Sequence, residues 1–390
     1  MGERGSGSSG PRYATPDADV CDYRTVVEDS RWTDVGEHLR QARLAAGLSQ
    51  GELGELVGLD RTMIAKIESG NRRVDAFEIT RLASTLRVPM DYLLEPQPRV
   101  LSRRTEVIAE DSDTEVARES QRLEVALAAW LRELRLLIGF GQLRPQKLLI
   151  YPEPVASPAA ARAAALWART QLRFETGPID SLVEFCERAG QYVLVTELPG
   201  DGASLVDGDV AAAVVSVRGD PGRRRATAAH ELGHLVLGDE YSSDLGVHAS
   251  RAEREALIDA FAAELLLPTG VVAAGPGNDT RSREWLIRLA ADYRTSWSLA
   301  LRQAEHAGVL ATRDRQRWSQ SRPTRAEFLE AVGWAPQPDL ESIRVPPRYA
   351  HAVMQAWRDS LVTSARAVEL MHGQIELADL PIRDEPDVAP

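Results

Sequence analysis

Apolar residues recur three or four positions apart along most of this chain, the spacing of helices that bury one face. Strict alternation is confined to short stretches. Between residues 33 and 95 the helical pattern is punctuated at short intervals. Val35, Leu39 and Ala42 mark a first helix ending near Gly47. Ser49 with Glu52 makes a capping box for a short helix through Val57, and Gly58-Leu59 makes a turn. Asp60 caps a third helix through Glu68, Asp75 with Glu78 caps a fourth through Leu86, and Pro89 opens a short fifth from Met90 to Leu94.

Further on, Leu123, Leu127, Trp130, Leu131 and Leu134 predict a long helix over 118–138, broken by Pro145, Pro152, Pro154 and Pro158. Helices over 159–174 and 179–189 precede strands over 192–196 and 211–217. Helical spacing returns at 227–237, from Ser250, where Ser250 and Glu253 form a capping box, and from Trp285 onward. Tyr349, Val353, Trp357, Leu361, Ala365 and Leu370 place two helices over 347–362 and 364–373, a dimer or partner surface or a cap on the preceding domain. Trp285, Trp297 and Trp318 read as core. The fold class is mainly α with a small α+β part. Its segments are a flexible tail over 1–32, a helical unit over 33–96, a linker with a long helix over 97–158, a domain over 159–312 and a helical region over 313–390.

A chain of 390 residues with 44% hydrophobic and 27% charged residues fits a soluble protein of two or three domains. Two distant cysteines, Cys21 and Cys186, exclude a disulfide framework. No apolar run approaches the length of a membrane span, so the expected location is cytoplasmic, with no membrane partner. The net charge of -12 excludes a global attraction for nucleic acid, so any DNA contact has to be local.

The unit over 33–96 has helix-turn-helix spacing, which puts the helix from Asp60 to Glu68 in a DNA major groove. Arg61, Thr62 and Lys66 would face base edges, Met63 a thymine methyl, and Gln50, Arg72 and Arg73 phosphates, with Ile64 and Ile67 turned to the core. Residues 33–95 hold 8 Lys/Arg against 10 Asp/Glu, but within 61–73 four basic residues face Glu68 alone. The implied partner is double-stranded DNA, bound with steep salt dependence and assisted by a homodimer.

His230-Glu231-Leu232-Gly233-His234 has H-E-x-x-H spacing inside a helical run that stops at Gly238. Two histidines four apart share a helix face, can grip one zinc ion, and set Glu231 beside its open position. Glu255 is the candidate third ligand and Glu253 its rival on the same helix. Asp259, one turn past Glu255, can accept the free N–H of a ligating histidine, whereas Glu264 points away. With Zn2+ in place Glu231 would act as general base toward a water. Tyr241 and His248 are within reach as oxyanion donors, with nothing to choose between them. The strand over 211–217 is either an edge for an extended substrate or a buried core strand.

The run from Leu39-Arg40-Gln41-Ala42-Arg43 through Gly47-Leu48-Ser49-Gln50 to Ile64-Ala65-Lys66-Ile67-Glu68-Ser69-Gly70 resembles the XRE (phage repressor-like) helix-turn-helix family. Residues 159–310 resemble the ImmA/IrrE metallopeptidases, through Ile179-Asp180-Ser181-Leu182, Tyr192-Val193-Leu194-Val195, the segment Thr227 to Leu235, and Phe261-Ala262-Ala263-Glu264-Leu265-Leu266-Leu267-Pro268. The resemblance implies a five-helix phage-repressor-like domain, then a thermolysin-like (gluzincin) α+β domain with His230, His234 and Glu255 as zinc ligands. It implies a regulatory zinc endopeptidase that cleaves a specific repressor or partner protein, often encoded nearby. It equally allows a transcriptional regulator or antitoxin-like protein whose zinc domain senses a signal or binds a partner such as a toxin. Two departures stand out. Gly238 occupies a position where many relatives have another histidine, and Leu257-Ile258-Asp259 stands where many have Glu-Ala-Asn.

Overall fold

The computed structural model describes residues 19–94, 100–104, 115–238, 248–275, 282–334, 339–340 and 342–381. The chain divides into two units, Met1–Pro96 and Gln97–Pro390.

In the first unit, α1 (Asp19–Ala45), α2 (Gln50–Val57), α3 (Arg61–Glu68), α4 (Ala76–Leu86) and α5 (Met90–Leu94) follow the expected punctuation. Both capping boxes form, at Ser49–Glu52 and Asp75–Glu78. The tail expected over 1–32 is corrected from Asp19 onward, where α1 has already begun; residues 1–18 lie outside the described part. Val20, Tyr23 and Val27 stand at helical spacing within residues 19–32, a signal masked by the Gly/Ser-rich stretch that precedes it, and extending a formed helix costs no new nucleus. Leu39, Leu53, Ile64, Ile67, Leu82 and Leu93 close the core. Gly58, at φ 71°, turns the chain between α2 and α3 in a conformation that favours glycine. Across the core, Arg43 Nε donates to Glu68 Oε1 at 2.5 Å and Nη2 to Oε2 at 3.0 Å, so a buried, bidentate ion pair ties α1 to α3.

The second unit opens with β1 (Val100–Arg104) and α6 (Glu115–Gly139), then α7 (Pro158–Gln171) and α8 (Leu182–Arg188). Next come β2 (Gln191–Thr196), β3 (Gly202–Asp207), β4 (Val210–Ser216), α9 (Pro221–Val236) and α10 (His248–Leu266). The remaining helices are α11 (Thr269–Ala273), α12 (Arg283–Asp292), α13 (Trp297–His306), α14 (Thr312–Ser319), α15 (Arg325–Val332), α16 (Pro347–Arg358) and α17 (Ser364–Leu370). The sheet has the order β1-β3-β4-β2, with β2 and β4 parallel and the other pairs antiparallel.

Alternation along the strands divides the core into two layers. Val193, Val195, Ala211, Ala213 and Val215 face a core shared with α7 to α10 and α13. Tyr192, Leu194, Ala212, Val214, Ala203 and Leu205 face Leu123, Leu127, Trp130 and Leu134 of α6 together with Tyr349, Val353 and Trp357 of α16. Trp130 Nε1 donates to the Tyr192 carbonyl at 2.9 Å, which satisfies the one polar atom of a fully buried indole. The expected linker over 97–158 is therefore built into the domain as an edge strand and a covering helix. The helical region over 313–390 shares the same core. Trp285, Trp297 and Trp318 are partly buried against the first layer.

Arg225 of α9 and Asp339 form an ion pair with 1% and 2% of their side chains exposed. Arg225 Nη2 also donates to the Ile179 carbonyl at 2.8 Å, and Asp339 Oδ2 accepts from the Leu182 amide at 3.3 Å. Nearby, Arg344 makes a two-way backbone bridge to Val195 on the free side of β2, at 2.9 Å in each direction. The C-terminal residues thus fix both α9 and one sheet edge.

Candidate metal centre and nucleic-acid interface

α9 starts earlier than the motif alone predicts: Pro221 sits in its first turn and Asp220 accepts from the Gly222 amide at 2.9 Å. From Thr227 to Val236 it is buried, between the sheet and α10. Gln191 of β2 donates to the Glu231 carbonyl at 2.9 Å, and Arg254 of α10 donates to the Leu237 carbonyl at 3.0 Å, capping the end of the helix. Gly233 sets the distance between the helices. A Cβ there would stand 2.8 Å from Ile258 Cγ2 and 3.1 Å from Phe261 Cδ1, so a larger residue would push α10 off. α10 itself begins at His248, ahead of the capping box expected at Ser250.

This close approach lays one face of α10 over the two histidines. Among the described residues, the ligand atoms of His230, His234 and Glu255 all lie within 4.8 Å of one another. His230 Nε2 is 3.1 Å from Glu255 Oε2 and 3.2 Å from His234 Nε2. Its other nitrogen, Nδ1, is 2.9 Å from Asp259 Oδ1. Glu253 is exposed and stands outside the cluster, so the geometry favours Glu255 of the two rivals. Glu264 is turned away and buried, with Oε2 accepting from Arg162 at 2.8 Å and Oε1 from the Thr269 amide at 2.9 Å. Tyr241 lies outside the described residues, as does the side chain of His248.

Burial raises the Glu255 pKa, but with the rings protonated the hydrogen bond from His230 Nε2 and the charges of the two histidines outweigh it, and the net value lies below the usual carboxylate range. In the neutral ring His230 Nδ1–H donates to Asp259, an acceptor, which leaves a lone pair on Nε2. Nε2 and Glu255 Oε2 are then two acceptors 3.1 Å apart, an approach that becomes favourable when a cation lies between them. Two imidazoles and a carboxylate are also the donor set of an open, three-ligand zinc site. The residues fit such an ion.

Glu231 is fully buried, and Ser204 Oγ on β3 donates to its Oε2 at 2.7 Å. Its Oε1 is buried with no hydrogen-bond partner among the described residues. Ser204 carried no motif. The strand that bears it was nonetheless signalled, by the alternation of Ala203 and Leu205 and by Asp207-Gly208 at the hairpin turn.

On the first unit, Arg61, Thr62, Met63 and Lys66 are exposed on α3 while Ile64 and Ile67 are buried, as the helical spacing requires. Arg73 is exposed too. Gln50 and Arg72, both partly exposed, are paired with carboxylates of their own domain. Gln50 Nε2 donates to Glu68 Oε2 at 2.8 Å, and Arg72 donates twice to Glu78, at 3.0 and 2.6 Å.

Two family models match the chain: the helix-turn-helix model over residues 39–93 and the IrrE N-terminal-like domain over residues 186–305. An uncharacterised HTH-type transcriptional regulator of Sinorhizobium medicae (strain WSM419) is 36% identical over 64 residues, 16% of this chain and 46% of the relative. Its counterpart in Rhizobium meliloti (strain 1021) matches over the same shares. Control protein C.SmaI of Serratia marcescens is 33% identical over 84 residues, 21% of this chain and 90% of that protein. The chain spans less than half the length of the first two relatives. No solved structure matches it. Through residues 39–93 the chain belongs to the helix-turn-helix family, and the two rhizobial relatives are named as HTH-type transcriptional regulators. The chain joins to that domain a second one, IrrE N-terminal-like, which holds the cluster of His230, His234 and Glu255. No helix among the described residues is long and apolar enough to cross a membrane.

Proposed function

We propose that the chain is a DNA-binding regulator whose second domain is a thermolysin-like zinc endopeptidase, acting on a specific repressor or other partner protein. The observation that carries this reading is the convergence of His230, His234 and Glu255, with Asp259 orienting His230 and Ser204 holding Glu231. His230 Nε2, His234 and Glu255 would hold the ion, and a zinc ion there supplies Lewis acidity toward a water and a peptide carbonyl. Glu231 offers Oε1 to the water proton, because Ser204 occupies Oε2, and later returns that proton to the leaving amine. Its complete burial keeps bulk water from competing for the same oxygen. On the DNA side, Arg61, Thr62, Met63 and Lys66 read base edges and Arg73 meets phosphate. Gln50 and Arg72 shape that surface rather than extend it.

The test is incubation of purified, zinc-loaded protein with the repressor or toxin encoded beside it, against a Glu231→Ala variant. Cleavage by the parent chain alone, with zinc bound equally by both, is the expected result. Equal cleavage by both sinks the assignment of Glu231. Cleavage by neither, with zinc bound and DNA retarded, replaces the peptidase by a domain that senses a signal or holds a partner.

A further inference from the structure

β4, the strand that the sequence offers as a substrate edge, has no free edge: β2 pairs on one side of it and β3 on the other. The strand that reaches the metal centre is β3. It carries Ser204 to Glu231, and it passes α9 so closely that a Cβ on Gly202 would stand 2.7 Å from Thr227 Cγ2 and 3.6 Å from Glu231 Oε1. The outer edge of β3 is therefore the backbone edge next to the metal helix. That edge is taken by β1, which runs antiparallel with Ser102 opposite Ser204, Arg103 opposite Ala203 and Arg104 opposite Gly202, and which approaches α9.

β1 is a weakly held strand by construction. It is five residues long, its register slips between Val100 and Ser102, and it has a partner on one side only. It is also the first element after the boundary between the two units.

We propose that β1 is a resident cover: it occupies the backbone edge of β3 on which an extended segment of a protein substrate is held, and a substrate binds by displacing it. Strand addition uses main-chain donors and acceptors, which every polypeptide carries, so β1 and an incoming segment compete for the same groups. The apparent affinity for a substrate is then its intrinsic affinity scaled by the fraction of molecules in which β1 is off. The alternative is a guard strand that merely keeps the sheet from pairing with other chains. The two differ in what happens at the metal centre when β1 is freed or fastened. This proposal rests on the peptidase reading, and its test uses ligand binding so that the two can fail separately.

The full-length, zinc-loaded chain is titrated with two probes, acetohydroxamate, which reaches only the metal, and a hydroxamate on a short extended peptide, which also needs the edge. Ser102→Pro, made together with Arg103→Pro because successive N–H groups point to opposite sides of the strand, removes a donor to β3 and frees β1. Arg103→Cys with Ala203→Cys fastens it, since the two positions face each other across the ladder. This pair is made with Cys21→Ser; Cys186 is buried and its thiol pushed up by burial, so it stays out of the exchange. The expected results are peptide hydroxamate bound about tenfold tighter by the double proline variant, and about tenfold weaker by the oxidised cysteine pair with recovery on reduction, while acetohydroxamate is unchanged in both. Unchanged peptide hydroxamate binding in the oxidised pair, or equal shifts of both probes, makes β1 a guard strand and overturns the proposal. Failure of acetohydroxamate to bind the parent chain overturns the metal reading and this proposal with it.

Discussion

Ser204 and Glu231 lie 27 residues apart in the chain and 2.7 Å apart in space, and they join the sheet to the metal helix by a buried hydrogen bond. The bond occupies one carboxylate oxygen and leaves the other without a partner among the described residues. Ser204→Ala frees the carboxylate to rotate. Peptidase turnover should fall about 10- to 100-fold, the usual cost of losing an orienting partner. Zinc affinity should not change, and Ser204→Thr should restore turnover. An equal loss of zinc from Ser204→Ala would make the serine structural.

Asp259 meets the candidate metal cluster at one remove, through His230 Nδ1. Asp259→Asn keeps the shape but loses the charge that makes Nε2 a better donor. Competition with a chromophoric chelator should show zinc held about 10- to 100-fold more weakly. Glu253→Gln, on the exposed side of the same helix, should leave zinc affinity at the parent value.

The arginines and the lysine of the first unit divide by what holds them. Lys66→Ala should weaken DNA binding and relax sequence preference with little change in the slope of log affinity against log salt, whereas a slope lower by about one would make the lysine a phosphate contact instead. Arg72→Ala should instead lower thermal stability, because it strips the partner from the Glu78 carboxylate. A full loss of DNA slope from Arg72→Ala with unchanged stability would reverse this assignment.

The same pair gives the first unit an acid limit. The hydrogen bond from Arg72 holds Glu78 below the ordinary glutamate value of 4.5, with burial opposing it. The folded state therefore takes up this proton at lower pH than the unfolded state. The stability it contributes is complete above about pH 4.5 and is lost as pH falls from there through the lowered folded value. Urea denaturation across pH 3 to 6 should show a shallower acid loss for Glu78→Gln, which starts less stable at neutral pH. An acid slope identical to that of the parent chain would remove Glu78 as its source.

Arg225 and Asp339 are almost completely withdrawn from water. Asp339→Asn strands a buried cation and should cost about 3–5 kcal/mol in chemical denaturation, whereas joint replacement by Met and Leu should cost much less. Equal losses in the single and double variants would show that packing, not charge, is what matters there.

The elements that local chemistry determines were legible in the sequence. Ser49–Glu52 and Asp75–Glu78 placed α2 and α4 to the residue, because a cap engages groups three positions away. The approach of His230 and His234 was legible from their spacing of four on one helix, whereas Glu255 was legible only as one of two rivals on α10, which the packing of the two helices separates. What failed to show depended on distant partners. Val100 to Arg104 has no alternation of its own and becomes a strand only against β3, about a hundred residues on. The pairing of Arg72 with Glu78 was hidden because that carboxylate had been assigned to a cap, and Glu78 serves both. Ser204 is an ordinary strand serine until β3 is laid across α9.

The pairing of Arg225 with Asp339 also imposes an order of events during synthesis. The two residues are separated by 114 positions, and Arg344 follows Asp339 closely. At the usual speed of translation, α9 leaves the ribosome on the order of ten seconds before its counter-ion does. During that interval the helix that carries both histidines has an unmatched guanidinium where the finished protein buries one, and β2 has an unpaired side. The nascent domain should wait as an open intermediate that a chaperone can hold, and should close only when the segment carrying Asp339 and Arg344 has emerged.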